Sequence, residues 1–372
     1  MKKQYRALRK EINGSIQKVL RSTDFIQGSQ VNELEDLLAD YVGVKHCITC
    51  GNGTDALQLA LMTWGVGKGD AVFVPDFTFF ASAEVIAMMG ATPVFVDVRK
   101  ETFNIGVEQL GQAIRKTLKN GRLNPRAVVA VDLFGQSAEY EKLRELTDQY
   151  GLLLLEDGAQ GFGGAAGGRR NCSFGDISAT SFFPAKPLGC YGDGGAIFTD
   201  NDEWDELVRS LRVHGKGESK YENVRIGMNS RLDTVQAAVL LAKFRYFTET
   251  ELEAVNRIAD LYTAGLAGTV KTPVIKQDHY SSWAQYTIRL RNAQERDGLQ
   301  RYLKKQNIPS MIYYPEPMHR QKAFMGGRYD DQDFVNTIEL CDTVLSLPIH
   351  PYLETWEAEE VITKIKEYMK WE

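Results

Sequence analysis

One lysine lies directly before a glycine-rich loop. Lys186 belongs to the run TSFFPAKPLGCYGDGGA, in which an apolar stretch precedes the lysine and four glycines in seven residues follow it. Most lysines are surface charges, and that is the ordinary interpretation. A desolvated lysine, however, has a lowered pKa and can form a Schiff base with an aldehyde. Because glycines also let the backbone approach a ligand closely, the run predicts an amine nucleophile at residue 186.

A pair of acidic residues follows another apolar stretch. Glu156 and Asp157 come directly after four leucines, at the end of a predicted buried strand. An acid in that position needs a cationic partner, or its pKa shifts. A carboxyl group that caps the next helix is an equally good interpretation of the residues alone. The functional hypothesis is that the acid holds a cationic ring nitrogen.

A third segment, GNGTDAL at residues 51–57, opens a predicted helix. A glycine-bearing turn into a helix N-terminus exposes backbone N–H groups and the positive end of the helix dipole, which together suit a phosphate. Taken alone, the segment is better explained as an ordinary capped helix, with Asn52 or Thr54 as the cap. A phosphate site, an acid for a ring nitrogen and a Schiff-base lysine, in this order, match pyridoxal phosphate.

The elements that must position these residues alternate between strands and helices. Continuous apolar runs, typical of strands covered on both faces, occur at 71–74, 94–98, 127–133, 152–155, 177–182 and 196–198. Helical patterns lie between them, at 54–64, 81–89, 107–118 and 138–150. This alternation predicts a mainly parallel α/β sheet. Ligands bind such sheets at the carboxyl ends of the strands, where the three motifs are found.

The character of the sequence changes after residue 232. A long helix is predicted at 233–250 and continues at 251–266, and a further helix is predicted at 293–306. Short strands are predicted near 285–290 and 310–314. A chain of 372 residues exceeds the size of one hydrophobic core. We therefore expect a large domain at 1–250 that binds the cofactor and a small C-terminal domain at 251–372.

The composition is that of an ordinary globular protein, with 43% apolar and 25% charged residues. The formal net charge of −5 gives no general attraction to nucleic acid or to an anionic membrane. No run of about 18 apolar residues is present, and no secretory signal is recognised. Five cysteines fit reduced thiols and a cytoplasmic location, and Cys47 and Cys50 are expected to pack as small hydrophobic residues. The histidines show no metal-ligand spacing, so no metal is expected.

Five segments of the chain resemble the DegT/DnrJ/StrS family of sugar aminotransferases: GNGTDAL, PDFTFFASAE, EDGAQ, TSFFPAKPLGCYGDGGA and GMNSRLDTVQAA. The resemblance runs from about residue 5 to the C-terminus, and the lysine motif with its GDGG loop is its most specific part. It implies an aspartate-aminotransferase-like fold (fold type I), with pyridoxal 5'-phosphate (PLP) as cofactor. In one departure, this chain has Gly158 where the acid motif of the family commonly has alanine, a change expected to be harmless.

The resemblance also implies a role for particular residues. Lys186 would bind the cofactor aldehyde and then act as the general base and acid, and Asp157 would pair with the ring nitrogen. Gln160 would reach the ring hydroxyl, and Phe79 would stack on the ring, although aromatic residues are more often part of the core. The phosphate would be held by Gly53, Thr54 and Ser181, and by Asn229 from the other subunit of a homodimer with shared active sites.

The substrates are likewise implied by the resemblance. L-glutamate would donate the amino group and leave as 2-oxoglutarate, and a keto nucleotide sugar would accept it. Three motifs, KPLGCYGDGG, NSRLD and LPIHPYL, are most similar to those of members that act on UDP-2-acetamido-2-deoxy-3-oxo-glucuronate, for surface polysaccharide such as lipopolysaccharide O-antigen. Candidate sugar-binding residues are Arg231, Tyr314 and His319, and Arg231 suits glutamate's carboxylate as well. The alternatives are a UDP- or dTDP-linked 3-keto or 4-keto 6-deoxy sugar, and a non-catalytic sensor of PLP or of a sugar nucleotide.

Overall fold

A seven-stranded sheet forms the centre of the computed structural model, which describes residues 2–219, 221–326 and 329–371. The strands found in those ranges are β1 (His46–Cys50), β2 (Asp70–Pro75), β3 (Thr92–Val96), β4 (Asn124–Val131), β5 (Leu153–Asp157), β6 (Ala165–Ala166), β7 (Arg169–Arg170), β8 (Ile177–Ser181), β9 (Gly195–Thr199), β10 (His279–Tyr280), β11 (Tyr286–Arg289) and β12 (Val344–Leu347). The central sheet has the order β1-β9-β8-β5-β4-β2-β3.

Helices cover both faces of this sheet and also pack in the C-terminal part of the chain. They are α1 (Lys2–Ser22), α2 (Ser29–Val42), α3 (Gly53–Thr63), α4 (Ala81–Met88), α5 (Val107–Asn120), α6 (Tyr140–Tyr150), α7 (Asp202–Leu211), α8 (Thr234–Tyr246), α9 (Leu252–Leu266), α10 (Ala293–Lys305), α11 (Val335–Thr343) and α12 (Thr355–Trp371). Among the described residues, no helix combines the length and the apolar character that a membrane crossing requires.

The directions of the strands decide where the functional residues meet. The pairs β3–β2, β2–β4, β4–β5 and β5–β8 are parallel, whereas β9 runs antiparallel to both β8 and β1. As a result β1, β2, β3, β4, β5 and β8 all end at the same edge of the sheet, and β9 begins there. The predicted α/β class with a mainly parallel sheet is confirmed.

Alternation of side chains along the strands separates the core into layers. Val72 and Val74 of β2 join a cluster with α3 and α4, whereas Phe73 between them joins a cluster with α5 and α6 on the opposite face. In β1, Cys47 and Cys50 likewise lie in different clusters on opposite faces. Both thiols are buried and free, so their spacing is that of packing residues.

The C-terminal part has a small core of its own. The antiparallel pair β11–β12 packs with α9, α10 and α12 around Tyr262 and Tyr286, whose rings are 5.1 Å apart between centroids. The segment with Met318, Phe334 and α11 instead packs on the core of the large sheet. The division of the chain at residue 250 stays a prediction.

Several predicted elements have different bounds in the structure. The long helix expected at 233–250 ends at Tyr246, and a π-helical turn at Phe247–Glu251 joins α8 to α9. The strand expected near 310–314 is wrong: Met311 forms only an isolated bridge to Ser346, and β12 is the strand that pairs with β11. Helices α1 and α2 lie outside the elements predicted from the sequence, although Leu8, Ile12 and Val19 recur at helical spacing.

Candidate active site

The predicted motifs meet at the edge of the seven-stranded sheet where six of its strands end. The segments that follow β1, β2, β5 and β8 contain the glycine turn, the aromatic run, the acid motif and the lysine loop. The sheet order places β8 directly beside β5 and brings β9, which starts at Gly195, back between β8 and β1. The fold thereby gathers the residues expected to bind the cofactor: Gly53, Thr54, Phe79, Asp157, Gln160, Ser181 and Lys186.

The glycine turn starts α3 against the end of β8. Asn52 caps the helix, because its side-chain oxygen accepts a hydrogen bond of 2.8 Å from the backbone N–H of Asp55. A Cβ atom on Gly53 would lie only 2.6 Å from the Cβ of Ser181. Glycine is therefore needed for this close approach. The hydroxyl groups of Thr54 and Ser181 and the positive end of the α3 dipole together suit a phosphate group.

Ser230 braces this turn and was not predicted. Its buried hydroxyl accepts a hydrogen bond from the backbone N–H of Gly51 at 2.9 Å and donates one to the Asp55 carboxylate at 2.6 Å. The neighbouring Asn229 is exposed, and Arg231 is half-buried. Ser230 lies inside the NSRLD motif, so the motif itself was the signal for it. The roles of Asn229 toward phosphate and of Arg231 toward substrate stay predictions.

Asp157 is the last residue of β5 and is buried. Ser82 Oγ donates a hydrogen bond of 2.7 Å to Asp157 Oδ2, and the backbone N–H of Ala159 donates one of 3.2 Å to Oδ1. Burial raises the pKa of this carboxyl group, and the Ser82 hydrogen bond and the Lys186 charge oppose that rise. A buried carboxylate in this position is stabilised by a cation, as a protonated pyridine nitrogen would provide.

Lys186 is half-buried and near enough to Asp157 for the two charges to interact. Burial lowers the pKa of its amine, and the Asp157 charge opposes that change. The same lysine borders a cavity of about 470 Å³ whose lining also includes Trp283 and Tyr352. A lysine with a lowered pKa carries more neutral amine near neutral pH, which is the form that attacks an aldehyde and accepts a proton.

The glycines after Lys186 fit the loop against the backbone of the protein itself. A Cβ on Gly189 would lie 2.7 Å from the carbonyl oxygens of Phe183 and Pro184, and one on Gly195 would lie 2.5 Å from that of Asn52. The expectation that these glycines let the backbone approach a ligand stays a prediction. They fold the loop tightly, and the buried Lys243 then donates a hydrogen bond to the Gly189 carbonyl oxygen.

Aromatic and amide groups border the space beside Asp157. Phe79 is 54% exposed, and its ring centroid lies 6.3 Å from that of Tyr314. Gln160 accepts a hydrogen bond of 2.6 Å from the backbone N–H of Phe134 and donates one of 3.1 Å to the Tyr314 hydroxyl oxygen. An exposed aromatic ring at this edge is available to stack on a flat ligand. The contacts of Phe79 and Gln160 with the cofactor ring stay predictions.

His319, a candidate sugar-binding residue, is only 7% exposed. Its Nδ1 lies 2.7 Å from Asp76 Oδ2, and its Nε2 lies 3.1 Å from Asp331 Oδ1. Two carboxylate groups therefore occupy both ring nitrogens. A direct contact of His319 with a sugar stays a prediction from the resemblance.

These residues fit PLP as a set. A helix N-terminus with two hydroxyl groups suits the phosphate, a buried acid suits the ring nitrogen, and an amine of lowered pKa suits the aldehyde. Because Gly53 has no Cβ, the start of α3 lies directly against Ser181, which brings the two hydroxyl groups to the same end of this arrangement. Among the described residues, no group of three or more His, Cys, Asp or Glu side chains is arranged to hold a metal ion.

Gly158 and Cys172 share one small space behind the acid motif. A Cβ on Gly158 would lie 2.4 Å from the Sγ of Cys172, which is fully buried. We expect Gly158→Ala to lower the free energy of unfolding of the apoprotein by about 1–3 kcal/mol, because the added methyl group overpacks the site. Adding Cys172→Ala should restore most of this loss, since the shorter side chain removes the clash. Urea denaturation of the variants measures both effects.

Gly14→Ala is the matched control for this pair. Nothing lies within 4 Å of a Cβ built on Gly14, which is in α1, so alanine there should leave stability unchanged or raise it by up to about 1 kcal/mol. Gly158→Ala could instead lower the free energy of unfolding by the same amount whether residue 172 is cysteine or alanine. That result would show that the two positions do not compete for the same space.

Comparison with known proteins assigns the family. The model of the DegT/DnrJ/EryC1/StrS aminotransferase family matches residues 6–366. The chain is 42% identical, over 95% of both proteins, to a Pseudomonas aeruginosa protein named UDP-2-acetamido-2-deoxy-3-oxo-D-glucuronate aminotransferase. Relatives between 35% and 38% identical are named for aminotransfer to or from other UDP- and dTDP-linked sugars.

Solved structures agree with this assignment. A crystal structure of a DegT DnrJ EryC1 StrS aminotransferase from Brucella abortus has a TM-score of 0.95 and 47% identity, covering 98% of this chain and 97% of that one. NtdA from Bacillus subtilis, solved with bound cofactor PMP, has a TM-score of 0.89 and 26% identity, covering 98% and 82%. With the geometry at the sheet edge, these findings identify the chain as a PLP-dependent sugar aminotransferase that belongs to the DegT/DnrJ/EryC1/StrS aminotransferase family.

Proposed function

We propose that this chain transfers the amino group of L-glutamate to UDP-2-acetamido-2-deoxy-3-oxo-glucuronate in the biosynthesis of surface polysaccharide. The chemistry is carried by one observation: an amine of lowered pKa, Lys186, and a buried carboxyl group, Asp157, interact at the edge of the sheet. The choice of sugar is supported by the relative that is 42% identical over 95% of both chains.

Asp157 is proposed to supply the negative charge beside the cofactor ring, and Lys186 to move the proton. Bound PLP supplies an electron sink for the carbon that loses a proton. Asp157 keeps the ring nitrogen protonated, and its hydrogen bond from Ser82 fixes the carboxyl group in place. Lys186 Nζ carries the proton between the substrate carbon and the aldehyde carbon of the cofactor. Its lowered pKa suits this task, because a neutral amine accepts a proton at working pH.

Substrate recognition is proposed for groups around the same opening. The half-buried Arg231 follows the Ser230 brace and offers a guanidinium group to a carboxylate, either of the glucuronate ring or of glutamate. The Tyr314 hydroxyl oxygen accepts a hydrogen bond from Gln160, and the hydroxyl group is proposed to donate a hydrogen bond to the sugar. An arginine that serves the sugar carboxylate should discriminate between sugars with and without that group, whereas one that serves glutamate should not.

A homodimer with shared active sites is proposed from exposed side chains near the sheet edge. Phe79, Phe183 and Ile226 are 54%, 51% and 89% exposed, and large exposed apolar groups commonly mark an interface. Asn229, also exposed, is proposed to reach the phosphate bound by the other subunit. If so, inactive Lys186→Ala and Asn229→Ala subunits refolded together in equal amounts should form hybrid dimers with one intact site of two. Each hybrid dimer should then have up to half of the wild-type activity, and the whole mixture up to about a quarter. No recovery from dimers shown to be mixed would contradict shared sites.

A second candidate substrate is a UDP- or dTDP-linked keto sugar without a carboxylate, including 3-keto or 4-keto 6-deoxy sugars. It is favoured by relatives at 38%, 35% and 36% identity whose names refer to UDP-linked and dTDP-linked sugars. These substrates need the same cofactor-binding groups. They differ from the first candidate because they have no sugar carboxylate for Arg231 to bind.

The test begins with the absorption spectrum of the purified holoenzyme. Adding L-glutamate should bleach the yellow band of the lysine-bound cofactor while 2-oxoglutarate appears in equal amount. The amino-loaded enzyme is then mixed with the glucuronate sugar or with an otherwise identical UDP-linked 3-keto sugar that lacks the carboxylate, and return of the yellow band reports transfer. Faster return with the glucuronate, together with loss of that preference in Arg231→Met, supports the proposal. A preference for the sugar that lacks the carboxylate would favour the second candidate.

A further inference from the structure

A buried histidine joins two distant parts of the chain beside the active site. We call His319, Asp76 and Asp331 the His319 cluster. Asp76 is fully buried and directly follows β2, whereas His319 comes near the end of the segment that carries Tyr314. The ring of Phe334 stacks on the imidazole with centroids 4.4 Å apart and an interplanar angle of 19°. The imidazole is thus fixed both by hydrogen bonds and by packing.

The main chain on both sides of the cluster is also connected. Asp76 Oδ1 accepts a hydrogen bond of 2.8 Å from the backbone N–H of His319, and the Asp76 carbonyl oxygen accepts one of 3.0 Å from the N–H of Met318. With the bond between the imidazole and Asp76 Oδ2, three hydrogen bonds connect residue 76 to residues 318–319. They attach the Tyr314 segment to the start of the aromatic run that contains Phe79.

Tyr314 is the group that this attachment brings to the site. Its hydroxyl oxygen accepts a hydrogen bond from Gln160, and its ring lies 6.0 Å from that of Phe77 and 6.3 Å from that of Phe79. The bond from Gln160 leaves the hydroxyl hydrogen free to turn toward a bound molecule. Tyr314 therefore has a fixed position and one available donor, whereas the nitrogens of His319 are both occupied.

We propose that His319 is a positioning residue, which holds Tyr314 in place to bind the sugar substrate and does not itself contact that substrate. The proposal rests on the proposed aminotransfer to a nucleotide sugar and refines the sugar-binding role implied for His319. The imidazolium form, with N–H groups on both nitrogens, donates to Asp76 on one side and to Asp331 on the other. Loss of either donor loosens the segment from residue 313 to 320.

The charged surroundings favour that protonated form. Burial acts to lower the pKa of His319, but hydrogen bonds and charge from Asp76 and Asp331 outweigh it and raise the pKa above its ordinary value of 6.5. Arg320 pairs with Asp331 on the outer side and holds the pKa of that carboxyl group to about 2. Among the residues that the structure describes, Asp97, Tyr329 and Cys341 are further titratable groups that face the cluster and interact with Asp76.

The sign of the pH dependence follows from the raised pKa. A base whose pKa is higher in the folded protein contributes stability that is fully present below its unfolded value and is lost as pH rises through the folded value. The attachment of the segment should therefore weaken above pH 6.5. The KM for the sugar should rise over that range in the wild type, and this rise should be absent in His319→Asn, because an amide does not titrate.

The decisive test is a double-mutant cycle with steady-state kinetics. His319→Leu should raise the KM for the keto sugar by at least about tenfold with little change in the KM for glutamate, and Tyr314→Phe should do the same. The double variant should be no worse than the poorer single variant, because one residue acts through the other. Additive losses would overturn the proposal, since they would show that His319 has its own contact with the sugar. His319→Asn, whose amide can still donate to Asp76, should recover most of the affinity.

A second measurement does not depend on the substrate. Amide hydrogen exchange in the apoprotein should be faster at Met318 and His319 in His319→Leu and unchanged in Tyr314→Phe, because only the first change breaks the attachment. His319→Asn, which removes little volume, replaces His319→Leu if the latter does not fold, and should show intermediate exchange. Unchanged exchange in the folded histidine variants would overturn the proposal even if the enzyme proves to use another sugar.

Discussion

Replacing Lys186 with alanine should lower the rate of amino transfer by at least about 10⁴-fold. The lysine is expected both to bind the cofactor aldehyde and to move the proton, and removal of a proton-transfer group alone costs up to about 10⁴-fold. Burial lowers the pKa of this amine, which favours its neutral, nucleophilic form. The measurements are single-turnover formation of 2-oxoglutarate and mass spectrometry after borohydride reduction, which should show one attached cofactor in the wild type and none in the variant.

Two controls separate chemistry from folding in this experiment. Lys142→Ala removes an exposed lysine that pairs with Glu139, and it should retain full activity. Lys186→Arg keeps the positive charge but not the nucleophilic amine, so it should be as inactive as the alanine variant while retaining the melting temperature of the apoprotein. Activity in Lys186→Ala above about a hundredth of the wild-type rate would contradict the assigned role.

Replacing Asp157 with asparagine should lower kcat/KM by about 10²- to 10³-fold, the range for removing one preorganised electrostatic group. The amide has nearly the same shape as the carboxyl group but cannot keep the ring nitrogen protonated. Affinity for PLP should fall as well, because the charge that opposes the ring cation is gone. Fluorescence titration of the apoprotein with PLP measures the affinity, and steady-state kinetics measure the rate.

Stability should change in the opposite direction from activity. Burial raises the pKa of Asp157, so the ionised form is disfavoured in the folded apoprotein, and stability from this group falls as pH rises from the unfolded value of 3.8 through the folded one. Asp157→Asn should therefore leave the apoprotein melting temperature at pH 7 unchanged or higher. Ser82→Ala, which removes a hydrogen bond but keeps the charge, should cost less than about tenfold in kcat/KM. Equal losses in the two variants would show that geometry, not charge, is what Asp157 provides.

The sequence by itself determined the sheet class and the cofactor, and it predicted the residues that are proposed to bind that cofactor. Apolar runs without alternation predict buried parallel strands, and in such a sheet the strand ends share one edge. The expected meeting of the glycine turn, Asp157 and Lys186 follows directly from that rule. The chemistry of each residue is also local, because a capped helix N-terminus, a carboxyl group after a strand and a lysine before glycines are all visible in short segments.

Only the tertiary structure decided which side chains support these residues. Ser82 and Asp157 are 75 residues apart, Asp55 and Ser230 are 175 apart, and Asp76 and His319 are 243 apart. Their pairing depends on the order of the strands and on the crossovers between them, and hydropathy along the chain carries no information about that order. The sequence motif predicted that His319 lies near the substrate. It could not show that two carboxylates enclose the ring, because Asp76 is brought to His319 only by the folding of the chain.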